Sequence, residues 1–170
     1  MKKIIFFAII AIVFTSCKKS SSGSPVNAIT VTINDTVYTF NNHILDTTIY
    51  QASDSELGIE LSAQDLNLNT ITLVIVDADV APLKAITYGL SGDTNHLSIM
   101  EFQSTNQTNY TSGFPASVLN PFTVTVNSLT STSIQGTFKG TIYLNGDTTS
   151  TSKKPVTNGT FSFTKPVTTY

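Results

Sequence analysis

From Asn27 onward the apolar residues recur at every second position, not at every third or fourth. Side chains alternate across a strand with period two and line a helix face with period 3.6. This spacing therefore commits the chain to β structure. Ile29, Val31 and Ile33 point one way, and Ala28, Thr30 and Thr32 the other. Asn34-Asp35 is a tight-turn dipeptide leading into residues 37–40, which predicts a hairpin. Leu57, Ile59 and Leu61 alternate with Gly58, Glu60 and Ser62. Residues 71–76 are apolar on both faces except at Thr72, the pattern of a strand inside a sheet.

The second half continues in the same way. Strands are expected over 85–90 and 97–102, flanking a Gly92-Asp93 turn. Phe122, Val124 and Val126 alternate with Thr123, Thr125 and Asn127. Ile134, Gly136, Phe138, Gly140, Ile142 and Leu144 share one face of a long strand, where glycines on an apolar face predict a bend or a close neighbour. Asn145-Gly146-Asp147 turns the chain, and residues 156–163 return with Phe161 and Phe163 on one face. Residues 103–121 are rich in Asn, Thr and Ser and read as a long loop holding a short strand. No helical stripe and no repeat of fixed period follows residue 17. The expected fold is all-β: a single antiparallel β-sandwich or barrel-like domain of about 8–10 strands over residues 27–170.

Composition supports this and narrows the partners. There are 28 Thr and 19 Ser, while charged residues are only 12%. Threonine suits the half-buried surface of a sheet. A hydrophobic content of 40% is enough to fill a core. There is no Arg, and the net charge is −2. Phosphate and nucleic-acid recognition rest on Arg forks and basic stripes, so nucleic acid is not an expected partner.

The first 16 residues differ from the rest. Lys2 and Lys3 precede an unbroken apolar run from Ile4 to Phe14. That run is shorter than the roughly 20 residues that span a bilayer and has the length of a signal-peptide core. Thr15 and Ser16 then lead into Cys17, the single cysteine of the chain, so no disulfide forms within it. Phe14-Thr15-Ser16-Cys17 resembles the bacterial lipobox, with Phe14 standing where Leu is usual. The resemblance implies cleavage before Cys17, lipid attachment at Cys17, and a membrane partner reached through that anchor. Cleavage would remove Lys2 and Lys3 and take the net charge from −2 to −4. Residues 17–26 then form the lipidated cysteine and a Ser/Gly tether ending at Pro25. Lys18, in place of an Asp that retains some lipoproteins in the inner membrane, implies the outer membrane. Surface-exported lipoproteins of some bacteria carry an acidic cluster after this cysteine; residues 18–26 hold none, so the resemblance implies the periplasmic side, with surface exposure as the alternative.

Two further stretches, residues 133–147 (SIQGTFKGTIYLNGD) and 153–163 (KKPVTNGTFSF), together with the hairpin at 29–40 (ITVTINDTVYTF), resemble short Bacteroidetes-type lipoproteins of unknown function. The resemblance implies a β-rich envelope lipoprotein and carries no active site with it. Residues 35–37, 46–48 and 147–149 also resemble the Asp-Thr acceptor pattern for O-glycosylation in that group.

Chemistry-bearing residues are few. There is no G-x-S-x-G motif, and the histidines are His43 and His96. Two separated histidines do not predict a structural zinc site. Asp77 and Asp79 share one side of a strand end, with Asp93 and Asp147 in turns; oxygen ligands of this kind suit calcium, and equally suit solvent-facing turns. Glu56, Glu60 and Glu101 show no pairing that predicts a glycosidase. Tyr50, Tyr110, Phe114 and Tyr143 are candidates for a sugar-binding platform or for the core. No catalytic, cofactor or metal residue is assigned, and the chain is expected not to be an enzyme. Its function is expected to be a non-catalytic protein-interaction or structural module, with an envelope protein as partner. The alternative is capture of a glycan or small apolar molecule.

Overall fold

The computed structural model describes residues 27–53, 56–79, 83–112 and 122–164. The apolar leader, Cys17, the tether, and residues 113–121 of the long loop lie outside them. Eleven strands follow in order: β1 (Ala28–Ile33), β2 (Thr36–Phe40), β3 (His43–Ser53), β4 (Glu56–Gln64), β5 (Thr70–Asp77), β6 (Thr87–Tyr88), β7 (His96–Gln103), β8 (Asn109–Thr111), β9 (Thr123–Thr130), β10 (Ser133–Leu144) and β11 (Lys153–Phe163). The strand pairs are antiparallel.

The strands form one sheet in the order β2-β1-β11-β10-β8-β7-β5-β4-β3. The wall forks at β10. Ser133 to Lys139 pair with β9, which pairs in turn with β6. Tyr143 and Leu144 pair with β8. The β6 arm also reaches β7, because the Gly89 N–H donates to the His96 carbonyl at 2.7 Å. The sheet curls into a nearly closed, barrel-like wall. Tyr38 on β2 and Phe102 on β7 are far apart in strand order, yet their rings meet edge to face at 5.2 Å.

The inward face of this wall is the core. Ile29, Val31, Phe40, Ile59, Leu61, Ile71, Leu73, Ile75, Phe122 and Val124 are each at most 1% exposed. Burying a side chain of this kind stabilises the fold by about 1.5–3 kcal/mol relative to leaving it in water. The outward face is built largely of threonine. One rung, traced through the register, runs Thr87–Thr125–Thr137–Thr160–Thr30–Thr39 across six strands. The hydroxyls of Thr87 and Thr125 lie 2.9 Å apart. The high threonine content is thus the outer skin of the sheet, where cross-strand pairs of β-branched residues pack well.

The first hairpin forms as expected: Asn34 and Asp35 both take positive φ, 48° and 63°, as a two-residue primed turn requires. The glycines of β10 mark close approaches. A Cβ on Gly136 would collide with the Thr125 carbonyl oxygen and with Phe161 Cζ. A Cβ on Gly140 would lie 2.7 Å from Phe122 Cα, and the register against β11 shifts between Phe138 and Gly140. This bulge is the expected bend.

Two expectations change. Residues 43–53 form a full edge strand that the spacing does not announce. The register against β4 slips between Ile44 and Asp46 and again between Gln51 and Ser53, so alternation along β3 is broken. Residues 85–90 supply only the two-residue β6, because Gly89 turns the chain with φ 79°. The short strand expected within 103–121 forms as β8. The described residues form eleven strands, in keeping with the expected antiparallel domain of about 8–10.

Candidate functional site

Strands β5 and β7 pair along their full length, from Thr70 opposite Gln103 to Asp77 opposite His96. The described polar clusters sit at the two ends of this pair. At the Asp77 end, β5 leaves the sheet and β7 enters it, so two loops bring acidic residues around one imidazole. His96 Nδ1 lies 2.8 Å from Asp93 Oδ2. His96 Nε2 lies 3.1 Å from Asp79 Oδ2 and 3.7 Å from Asp77 Oδ1. The Asp77 side chain is fully buried, and that of His96 is 16% exposed.

Local sequence explains the convergence. Gly92, at φ 81°, lets the chain turn, and Asp93 Oδ1 then accepts the backbone N–H groups of Asn95 and His96. These bonds, that of Asn95 first, hold the Asp93 carboxyl below the usual carboxylate range. Asp77 Oδ1 accepts the Asp79 N–H at 3.0 Å, and Asn95 Nδ2 donates to Asp79 Oδ1 at 2.9 Å. Beneath them Tyr88 is fully buried; its hydroxyl accepts the Lys84 N–H, donates to the Lys84 carbonyl, and lies 3.4 Å from Asp77 Oδ2. Burial first, offset by the Lys84 bond and aided by Asp77, pushes the Tyr88 phenol up to about 12. The Lys84 ammonium stands 3.8 Å from Asp79 Oδ2 on the exposed side.

The opposite end carries a cleft of about 470 Å³. Tyr38, Phe102 and Tyr110 give it aromatic walls, and Asn69, Thr105 and Lys154 give it polar groups. The Lys154 ammonium lies over the Tyr110 ring, 4.8 Å from its centroid, a cation–π contact. A second groove of similar volume crosses the outer face of β9, β10 and β11, walled by Thr123, Thr125, Thr137 and Thr160 and floored by Gly159 and Phe138.

The candidates named from sequence are distributed as follows. Asp77 and Asp79 do share a strand end, and Asp93 joins them; Asp147 remains in the β10–β11 turn, bonded to Thr149. His43 starts β3 opposite Gln64, at the far end of the barrel from His96. Tyr110 lines the cleft, whereas Tyr143 is core at 2% exposure and is no platform residue. Phe114, Cys17 and the Tyr50 side chain lie outside the described residues. Glu60 and Glu101 sit close enough on the outer face to repel. Of the Asp-Thr sites, Thr36 and Thr148 are exposed and Thr47 is half-buried. What spacing did not reveal is that His96, rather than a fourth carboxylate, completes the aspartate group. The signal available was the short run Gly92-Asp93-Thr94-Asn95-His96, a turn that delivers an imidazole to a strand start.

Among the described residues, no helix is long and apolar enough to cross a membrane. Compared with protein-family models, with curated proteins and with solved structures, the chain matches none.

Proposed function

We propose that this chain is a lipid-anchored protein of the bacterial envelope, held through Cys17, whose β domain is a non-catalytic module for docking another envelope protein. One observation carries the docking role: the sheet has ends. Among the described residues its order terminates at β2 and β3, so each presents a strand edge. Free strand edges take up an added strand from a partner, with main-chain bonds supplying affinity and side chains specificity. Val37 on the β2 edge is 67% exposed, and Leu45 near the start of β3 is 46% exposed. The anchor rests on the lipobox resemblance and on the length of the apolar run before Cys17.

The test uses the lipidated full-length chain in cells. A photocrosslinker at position 37 should yield one defined adduct, and the same group at Thr148 none. Thr39→Lys, on the same edge strand as the crosslinker at position 37, should abolish the adduct without lowering Tm. Metabolic labelling with a clickable fatty acid should mark the wild type and not Cys17→Ala. Unlabelled wild type would overturn the anchor; equal adducts from both positions would overturn the docking edge.

The aromatic cleft favours a second reading, capture of a glycan or small apolar molecule. Its mixture of ring faces and a few converging polar groups is how such ligands are held. Saturation-transfer NMR with envelope oligosaccharides should show ring contacts in the wild type that Tyr110→Ala removes; no transfer would end this reading.

A further inference from the structure

His96 turns a solvent-shielded ring nitrogen towards a space lined by the carboxylates of Asp77 and Asp79. Its Nε2 is shielded from solvent and has no hydrogen-bond partner, although Asp79 Oδ2 is only 3.1 Å away. If Nδ1 carries the proton, donated to Asp93, then the Nε2 lone pair faces carboxylate oxygens of Asp77 and Asp79. Three electron-rich atoms pointing at one space repel one another unless a cation lies between them. If Nε2 carries a proton instead, that N–H is buried without an aligned acceptor, which costs about 1–3 kcal/mol.

We propose that Asp77, Asp79 and His96 form a binding site for a divalent transition metal of the Zn²⁺ class. The three ligand atoms lie within 4.8 Å of one another. Ligands about 2.0–2.1 Å from a tetrahedral zinc ion are separated by about 3.3–3.4 Å, and the two separations from Nε2, 3.1 and 3.7 Å, bracket that value. A neutral imidazole with two carboxylates balances a dication. The nitrogen ligand selects zinc-like ions over calcium, which takes oxygen ligands.

The surrounding groups are placed as supports for such a site. Asp93 holds the Nδ1 side of the ring and so turns Nε2 inward. Asn95 occupies Asp79 Oδ1 and leaves Oδ2 free to ligate. The Tyr88 hydroxyl stands against Asp77 Oδ2, and its ring meets the His96 ring edge to face at 5.7 Å. Partners of this kind fix ligand orientation and raise affinity. Three protein ligands leave a fourth position for water, and the partial exposure of Asp79 (35%) supplies an entry path. Lys84 is the competing cation: its ammonium lies 3.8 Å from Asp79 Oδ2 on the exposed side, and an incoming metal ion must displace it.

The test is direct metal binding by the purified full-length lipoprotein in detergent. After removal of metal with a chelator, the protein is dialysed against Zn²⁺ and its metal content measured, with affinity read by competition against a chromophoric chelator. The wild type should retain one Zn²⁺ per chain and keep it against a hundredfold excess of Ca²⁺. Asp79→Asn and His96→Gln should each raise Kd at least tenfold, Asp93→Asn by about 10–100-fold through loss of ring positioning, and His43→Ala should leave it unchanged. Should His96→Gln fail to fold, Asp79→Asn decides, because that side chain is partly exposed and its replacement is isosteric. Retention of less than about a tenth of an equivalent, equal Kd in all variants, or displacement by Ca²⁺ would overturn the site as assigned.

Discussion

The side-chain oxygen of Asn69 accepts both the backbone N–H of Thr105, at 3.0 Å, and the Thr105 hydroxyl, at 3.1 Å. Thirty-six positions separate these residues in the chain. Asn69 belongs to the β4–β5 turn and Thr105 to the β7–β8 turn, so this bond ties two hairpins at the cleft end of the barrel. Asp65 anchors the knot from below: it is buried, it accepts the N–H groups of Asn67 and Asn69, and it accepts the Asn69 amide at 2.8 Å.

Breaking this knot should therefore cost more than removing one surface bond. Asn69→Ala leaves the buried Asp65 carboxylate and the Thr105 N–H short of partners, and should destabilise the fold by about 2–3 kcal/mol. Thr105→Val keeps the backbone bond and should cost about 1 kcal/mol. The two losses should not add in the double mutant, because both act on one network. Urea denaturation of the three variants measures this; additive losses would show the turns to be independent.

Gly136 is a tightly packed point of the wall. A methyl group there meets the Thr125 carbonyl on one side and the Phe161 ring on the other. The carbonyl belongs to the β9 ladder and cannot give way cheaply. Gly136→Ala should lower stability by about 1–3 kcal/mol or more, the usual cost of overpacking. Thermal unfolding compared with the wild type decides it, and an unchanged Tm would mean that β9 and β10 can separate at this point.

The threonine rung offers a contrast on the outer face. Thr137 is exposed and lies between Thr125 and Thr160. Thr137→Val keeps a β-branched side chain and should leave stability within about 0.5 kcal/mol. Thr137→Gly removes the cross-strand partner and frees the backbone, and should cost about 1 kcal/mol. Equal Tm for the two variants would show that cross-strand packing on this face contributes nothing.

Glu60 gives a pH test. Burial first, then repulsion from Asp46 and Glu101, raises its carboxyl above 4.5 in the folded chain. A carboxyl whose pKa is raised by folding disfavours the folded state once ionised. Stability from this group is therefore greatest below pH 4.5 and falls as pH rises through the folded value. Glu60→Gln should raise Tm at pH 7, and the gain should vanish near pH 4, where the wild-type carboxyl is protonated. A gain of the same size at both pH values would assign the effect to packing instead.

Period-two spacing was enough to establish the class of fold, the first hairpin, the central position of β5 and the bend in β10. These are local consequences: the side-chain period, the positive φ demanded by Asn34-Asp35, and the absence of a Cβ at Gly136 and Gly140 are properties of short segments. The same locality explains why β3 was not legible, since two register slips against β4 destroy its alternation. Closure of the sheet was decided only in three dimensions, because it depends on which distant strands meet. Tyr38 touches Phe102, and β10 divides its pairing between β9 and β8. The carboxylate–imidazole cluster was half legible. Asp77 and Asp79 were readable as a pair from their spacing, but His96 reaches them only because β5 and β7 pair in a register that sets Asp77 opposite His96. A one-residue slip of that register would turn the imidazole to the other face of the sheet, so the site belongs to the pairing of the strands rather than to either segment alone.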